Sequence, residues 1–251
     1  MPDSFHVTIL RFDSLPSTNT EAARQAASGA GEGLCIVARE QTAGRGRRER
    51  AWVSPRDAGL YFSVILRPRL EAAAWSLITL AAALAVGDAL REACGLETDI
   101  KWPNDLLARG RKVCGILAET CETARGRACV VGIGINLSDA AFPAEIAARA
   151  TSVEAATGAT PDREALLVAL THNLARRYER LQEPDGQRET LRAWTAASSY
   201  AEGKRVRVVL GEETIEGVTR GLEPDGALRV ETGDGEIKTV RAGDVTAVRT
   251  V

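Results

Sequence analysis

A short stretch from Gln41 to Trp52, QTAGRGRRERAW, concentrates side chains that could bind an anion. It holds four arginines and one acid, namely Arg45, Arg47, Arg48, Arg50 and Glu49. Guanidinium groups offer paired donors in a fixed plane, which suits a phosphate or a carboxylate. Gly44 and Gly46 let the backbone turn tightly and approach a ligand closely. By charge alone, a solvated loop or a general nucleic-acid patch explains the stretch better, so the rest of the chain must decide.

The composition of the whole chain narrows that choice. The 251 residues are 45% apolar and 26% charged, which is typical of a globular protein with one large and one small domain. The net charge of -2 argues against a protein that coats nucleic acid. The positive charge of the arginine stretch is therefore a local feature.

Lysine is scarce in a chain that otherwise uses arginine as its cation. Only Lys101, Lys112, Lys204 and Lys238 occur among the 32 basic residues. Lys101 and Lys112 lie close together in the segment KWPNDLLARGRK. A lysine kept in such a chain indicates a position where the compact ammonium differs usefully from a guanidinium.

The cysteines, histidines and apolar runs bear on metal binding and on the cellular compartment of the protein. The five cysteines form no C-x-x-C pair, and the two histidines are far apart, so a zinc site or a histidine triad has little support. The odd cysteine count predicts free thiols in a reducing cytosol. The N-terminus lacks the layout of a signal peptide, and the run Leu77–Val86 is too short to span a bilayer. We therefore expect a cytoplasmic protein with no membrane partner.

The arginine stretch is predicted to connect two strands, Leu34–Arg39 and Leu60–Leu66. Residues 5–12 alternate weakly and predict an edge strand. Thr18 and Glu21 fit a capping box that starts a helix, which ends at Gly29. The polar residues at this helix start could instead bind a ligand, but a cap is the commoner local explanation.

The middle of the chain alternates between one long apolar helix, several strands and a helical region. The predicted elements are a helix over Glu71–Cys94 ended by Gly95, a strand over Thr98–Trp102, a turn at Asn104 and Asp105, strands over Lys112–Glu119 and Ala128–Asn136, and helices over Asp162–Gln182 and Gln187–Ser198 within residues 143–198. Strands joined by short links are antiparallel. The glycines Gly132 and Gly134 lack the third glycine and helix of a dinucleotide fingerprint, and no P-loop sequence occurs.

The pattern of residue types changes at Gly203. Short apolar and polar alternations are separated there by turn signals such as Pro224-Asp225-Gly226, which predicts a small all-β barrel. The boundary divides the chain into a domain over residues 1–202 and a smaller one over 203–251.

Five motifs, in this order, resemble those of the biotin–protein ligases. They are Ser17-Thr18-Asn19, Gln41–Arg48 with Trp52, Lys101–Asp105, Lys112–Glu119 and Gly132–Asn136. The resemblance implies an α+β fold, with a mixed, largely antiparallel sheet and helices of the class II synthetase-like type, and a C-terminal SH3-like β-barrel. Bifunctional members of that family carry an N-terminal DNA-binding domain. Only about a dozen residues precede the first motif here, so we expect the form without that domain and no DNA partner.

The resemblance also implies a reaction and its participants. Biotin and Mg-ATP give biotinyl-5'-AMP, and biotin then passes to a lysine of a biotin carboxyl carrier protein of acetyl-CoA carboxylase. The implied catalytic residues are Arg47 and Lys112, and no protein side chain is expected to bind the Mg²⁺. The implied biotin-binding residues are Ser17, Thr18, Asn19, Gln41, Gly44, Arg45, Gly46, Arg47, Lys112, Gly115 and Gly132. The implied nucleotide-binding residues are Arg45, Arg47, Arg48, Arg50, Trp52, Lys101, Asn104, Asp105, Lys112 and Asn136.

Two positions depart from the family pattern, and two other functions stay open. Many relatives have glycine where this chain has Glu49, and lysine where it has Ala51, which could alter how the loop closes. A lipoate–protein ligase would share the fold and the reaction type. A non-catalytic sensor of biotin or its adenylate would keep the binding residues without transfer. An exposed sheet edge could also support a homodimer.

Overall fold

A computed structural model of the protein describes residues 6–140 and 142–248. Seven strands form its larger sheet: β1 (Thr8–Phe12), β2 (Leu34–Ala38), β3 (Gly59–Leu66), β4 (Asp99–Lys101), β5 (Asp105–Ala108), β6 (Arg111–Thr123) and β7 (Gly126–Asn136). Their order across the sheet is β1-β2-β3-β7-β6-β5-β4. The β1–β2 pair is parallel, and the other neighbouring pairs are antiparallel. The predicted α+β fold with a mixed, largely antiparallel sheet is confirmed, as is the edge position of the first strand.

Helices in the described part of the chain are α1 (Thr18–Ala27), α2 (Ser76–Cys94), α3 (Ala144–Ala147), α4 (Val153–Thr157), α5 (Arg163–Leu181) and α6 (Gly186–Ala196). A 3-10 turn over Ala72–Ala74 leads into α2, and Gly95 ends it with a left-handed φ of 61°. The segment Ala72–Cys94 is long and apolar enough to cross a membrane, but 72% of its most apolar window is buried inside the fold. It is therefore the central core helix, as predicted, and it packs along α5.

The start of α1 differs from the predicted capping box. Ser17 is the N-cap residue, and its side chain makes no capping hydrogen bond. Thr18 lies inside the helix, while the Glu21 carboxylate accepts hydrogen bonds from Arg24 and Gln25 at 2.8 Å each. The capping box is wrong because the Thr18 hydroxyl lies near Gln41 and Ser63, outside the helix, while Glu21 binds side chains of the next helical turn.

Strand β5 was not predicted. The segment after Pro103 was expected only to turn the chain, yet Asp105–Ala108 pairs with both β4 and β6. Strands β6 and β7 also run beyond their predicted ends, as far as the Thr123 and Gly126 pair. Polar side chains there hide the strand pattern, whereas backbone pairing needs no particular side chain.

The helical region was predicted at residues 143–198 and is confirmed as several separate helices. Asp162 begins the longest one, since its carboxylate accepts from the backbone N–H groups of Glu164 and Ala165 at 2.9 and 3.0 Å. These contacts satisfy free donors of the first turn.

The C-terminal part is an antiparallel five-stranded sheet, of order β11-β10-β9-β8-β12. Its strands are β8 (Glu202–Leu210), β9 (Glu213–Leu222), β10 (Leu228–Glu231), β11 (Ile237–Val240) and β12 (Asp244–Ala247). The Trp102 indole N–H donates to the Gly226 carbonyl at 3.0 Å, which joins this sheet to the turn after β4. An all-β C-terminal part is confirmed, whereas the SH3-like closure and the division at residue 202 remain predictions.

Candidate active site

A cleft of about 830 Å³ lies where α1, the arginine loop, strands β5 to β7 and the C-terminal sheet meet. The predicted site residues that line it are Ser17, Thr18, Asn19, Gln41, Arg45, Gly46, Arg47, Arg50, Trp52, Lys101, Asn104, Asp105, Lys112, Gly115, Gly132 and Asn136. Residues more than one hundred positions apart in the chain thus face one cavity.

Two predicted site residues do not line the cleft. Gly44 lies in the turn beneath it, where an added Cβ would come within 2.4 Å of the Trp52 carbonyl oxygen. A larger residue at this position would therefore change the loop, and a contact of Gly44 with biotin stays a prediction. Arg48 turns towards the C-terminal sheet and donates to the Val209 carbonyl at 3.2 Å.

One end of the cleft is polar, and the charge of Glu119 there is offset by Arg45. The Thr18 backbone N–H donates to Gln41 Oε1 at 2.8 Å, and Gln41 Nε2 donates to Ser54 Oγ at 2.8 Å. Asn19 Nδ2 donates to the Leu117 carbonyl at 3.2 Å and to Glu119 Oε2 at 2.8 Å. Thr18 and Asn19 are both buried. This end can therefore bind a compact ligand that has both donors and acceptors.

Glycines on the facing strands make room for the side chains that lie above them. A Cβ on Gly132 would lie 2.0 Å from Asn19 Oδ1, and one on Gly134 would lie 2.5 Å from Trp52 Nε1. Contacts this short do not occur, so larger residues would displace Asn19 or Trp52. Gly134 was not among the predicted site residues, although it belongs to the Gly132–Asn136 motif.

Arg47 stands at the opposite, cationic end. It donates to Asn104 Oδ1 at 3.1 Å, and Asn104 Nδ2 donates in turn to the Ile116 carbonyl at 2.8 Å. Burial lowers the pKa of the Arg47 guanidinium from its ordinary value, while the nearby Asp244 carboxylate opposes that shift. Because the ordinary pKa of arginine is so high, this side chain still carries its charge at neutral pH.

Two lysines share one carboxylate at this end. Lys112 Nζ lies 2.5 Å from Asp105 Oδ1, and Lys101 Nζ lies 3.6 Å from Asp105 Oδ2. The Lys112 ammonium also lies 5.1 Å from the centroid of a Trp52 ring. Asp105 therefore holds both ammonium groups on the cleft wall, where they can meet an anion.

Acidic residues hold the other arginines of the loop. Arg45 forms an ion pair with Glu119, while Arg48 and Arg50 both pair with Asp244 on β12. The predictions missed Glu119 and Asp244 as part of the site. Glu119 is the last residue of the Lys112–Glu119 motif, but nothing in the sequence connects Asp244 with the loop.

Asn136 connects the end of β7 to the segment around Thr151. Its Nδ2 donates to the Thr151 carbonyl at 3.0 Å, and Lys112 bonds with the same segment through its backbone. Among the residues that the structure describes, no group of three or more His, Cys, Asp or Glu side chains could hold a metal ion.

Two family models match the chain, one over each part. The Biotin/lipoate A/B protein ligase family matches residues 11–136, and the Biotin protein ligase C terminal domain matches residues 203–246. The chain belongs to the biotin/lipoate A/B protein ligase family. The matched ranges contain every motif quoted above and most of the C-terminal sheet.

Alignments with individual relatives cover most of the chain. A biotin--[acetyl-CoA-carboxylase] ligase of Mycobacterium tuberculosis is 38% identical over 93% of this chain and 86% of its own length. The bifunctional ligase/repressor BirA of Bacillus subtilis is 38% identical over 94% of this chain and 73% of its own length. A solved biotin protein ligase from Aquifex aeolicus, in complex with biotin and ATP, is 30% identical with a TM-score of 0.83, covering 97% of this chain and 99% of that one.

Proposed function

We propose that this protein is a biotin–protein ligase, which makes biotinyl-5'-AMP and transfers biotin to a lysine of a biotin carboxyl carrier protein. The observation that supports this most is a single cleft with a polar end at Thr18 and a cationic end at Arg47 and Lys112. Biotin has the same division, with a ureido ring at one end and a carboxylate at the other. Relatives that carry the ligase name support the same reaction.

The first step joins two anions. An oxygen of the biotin carboxylate bonds to the α-phosphorus of ATP, the bond from that phosphorus to the bridging oxygen breaks, and pyrophosphate leaves. Arg47 and Lys112 offset the repulsion and stabilise the negative charge that develops on the phosphate oxygens. Mg²⁺ would enter with the ATP phosphates, since ATP itself supplies the oxygen ligands that this ion prefers.

The second step transfers the biotinyl group. The amine of the carrier lysine attacks the carbonyl of the mixed anhydride, an amide bond forms, and AMP leaves. The acetyl-CoA carboxylase named for relatives indicates the carrier as a biotin carboxyl carrier protein.

The site residues divide by the ligand group that each would meet. Ser17, Thr18, Asn19, Gln41, Gly115 and Gly132 would surround the biotin rings, while Arg45, Gly46, Arg47 and Lys112 would reach its carboxylate. Trp52, Lys101, Asn104, Asp105 and Asn136 would form the nucleotide side of the cleft. Arg48 and Arg50 would need to leave Asp244 before they could bind a phosphate.

A lipoate–protein ligase is the second candidate, since the family includes both activities. The polar groups around Thr18 and Gln41 favour biotin, because a dithiolane ring offers no N–H or carbonyl group to match them. The test incubates the enzyme with Mg-ATP, an apo carrier domain, and either biotin or lipoate, and then weighs the carrier. We expect one added biotinyl group and an unchanged carrier with lipoate. A lipoylated carrier, or no addition from either acid, would reject the proposal.

The setting of the reaction is part of the same proposal. We infer a cytoplasmic enzyme, because apo carrier proteins and ATP are available there. The net charge of -2 does not favour a DNA partner. Strand β1 is an edge of the larger sheet and could pair with a second copy, so sedimentation with and without biotin and ATP would test for a homodimer.

A further inference from the structure

Ser63 lies beneath the polar end of the cleft and belongs to none of the sequence motifs. It is fully buried on β3, where it pairs across the sheet with Gly132. Its Oγ lies 2.7 Å from Thr18 Oγ1 and 2.6 Å from Asn19 Oδ1. Ser63 therefore connects two side chains that face the proposed biotin site.

The hydrogen of Ser63 can serve only one of those contacts, and Asn19 decides which one. Asn19 Nδ2 uses both of its hydrogens, on the Leu117 carbonyl and on Glu119 Oε2. Asn19 Oδ1 therefore faces Ser63, and this oxygen can only accept. The Ser63 hydroxyl must donate to it.

This direction fixes the hydrogen of the next hydroxyl as well. The oxygens of Thr18 and Ser63 are 2.7 Å apart, and the Ser63 hydrogen is already used. Thr18 must therefore donate to Ser63 Oγ, since two facing lone pairs would repel. The competing acceptor, Gln41 Oε1, lies farther from Thr18 Oγ1, at 3.1 Å, so the shorter contact with Ser63 is the better hydrogen bond. The hydrogens thus run from Thr18 to Ser63 to Asn19.

We propose that Ser63 is a positioning residue that holds the Thr18 hydroxyl as a hydrogen-bond acceptor towards the cleft. With its only hydrogen committed to Ser63, Thr18 presents lone pairs to whatever binds above it. A ligand with an N–H group at this point gains a bond, and a ligand with an acceptor there does not. This inference rests on the proposed function, because the ureido ring of biotin supplies such an N–H group.

The experiment compares Michaelis constants for the two substrates in biotin-dependent pyrophosphate exchange. Ser63→Ala removes the acceptor for the Thr18 hydroxyl hydrogen. The Thr18 hydroxyl is then no longer fixed in one orientation. We expect the KM for biotin to rise by about tenfold or more, with the KM for ATP within about twofold of the wild-type value. Ser63→Cys keeps a similar volume with a much weaker donor, and should shift the same constant.

Thr219→Val is the matched control, because it removes another fully buried hydroxyl, which accepts from Lys204 N in the C-terminal sheet. We expect this variant to lose about as much melting temperature as Ser63→Ala. Its KM values for biotin and for ATP should nevertheless both stay within about twofold of the wild-type values. An unchanged biotin KM in a folded Ser63→Ala or Ser63→Cys protein would overturn the inference, as would equal rises for biotin and ATP. If wild-type enzyme shows no biotin-dependent exchange, the proposed function itself fails.

Discussion

Among single residues, Lys112 has the most sharply testable role. Its ammonium lies on the cleft wall between Asp105 and Trp52, at the cationic end. Removing one such preorganised donor typically slows a reaction by about a hundredfold or more. Lys112→Ala should therefore release pyrophosphate at least about a hundredfold more slowly in a pre-steady-state measurement with biotin and Mg-ATP. Lys112→Arg should restore little, because a planar fork cannot replace a compact ammonium.

The control for this variant is Lys238→Ala, which removes a partly exposed lysine outside the cleft whose ammonium forms an ion pair with Glu236 at 2.8 Å. Its pyrophosphate release should match the wild-type rate. A near-normal rate in Lys112→Ala, with an unchanged circular dichroism spectrum, would remove this lysine from the mechanism.

Residue types and motif spacing predicted the side chains at the centre of the cleft, including Arg47 and Lys112. They could not predict Ser63 or Asp244. A serine inside an apolar strand leaves no mark on the strand pattern, and its contacts with Thr18 and Asn19 depend on how the elements pack. The Asp244 contacts join positions nearly two hundred residues apart, which no local pattern reports.

At the scale of elements, the arginine loop is the part that should respond to ligand. Arg48 and Glu49 both adopt left-handed φ values, of 53° and 60°, which are unfavourable for residues other than glycine. We expect residues 44–51 to be mobile without ligand and to order over the adenylate. Trypsin should cut at Arg45–Arg50 more slowly once biotin and ATP are added. Equal cleavage rates with and without both substrates would contradict this.

Asp244 supplies a second test of the same element. Its carboxylate forms ion pairs with both Arg48 and Arg50. Exposed ion pairs contribute little each, so Asp244→Ala should speed tryptic cleavage of the unliganded loop by only a few fold. An unchanged rate would mean that these pairs do not restrain the loop.

Most elements follow from local patterns, and the errors have physical causes. Helix α2 and strand β7 were predicted because apolar residues dominate them. The capping box failed because Thr18 and Glu21 have better partners than the backbone of their own helix. Strand β5 was missed because a strand of four residues is too short to show alternation.

At the scale of the whole molecule, burial of the five cysteines divides them into two groups. Cys35, Cys114 and Cys129 are buried, whereas Cys94 and Cys121 are partly exposed. Burial raises the pKa of Cys35 and of Cys129 to about 12, so both stay protonated and unreactive near neutral pH. Iodoacetamide should therefore label Cys94 and Cys121 first in the native protein, as peptide mass mapping would show. Early labelling of the three buried thiols would contradict the described packing.

The central claim is that one cleft brings the carboxylate of biotin and the α-phosphate of ATP together. The most direct test mixes the purified protein with biotin and Mg-ATP, without any carrier, and determines the bound product by mass spectrometry. We predict biotinyl-5'-AMP and one equivalent of pyrophosphate per site. Unchanged biotin and ATP, or an adenylate formed from lipoate in preference to biotin, would contradict the claim.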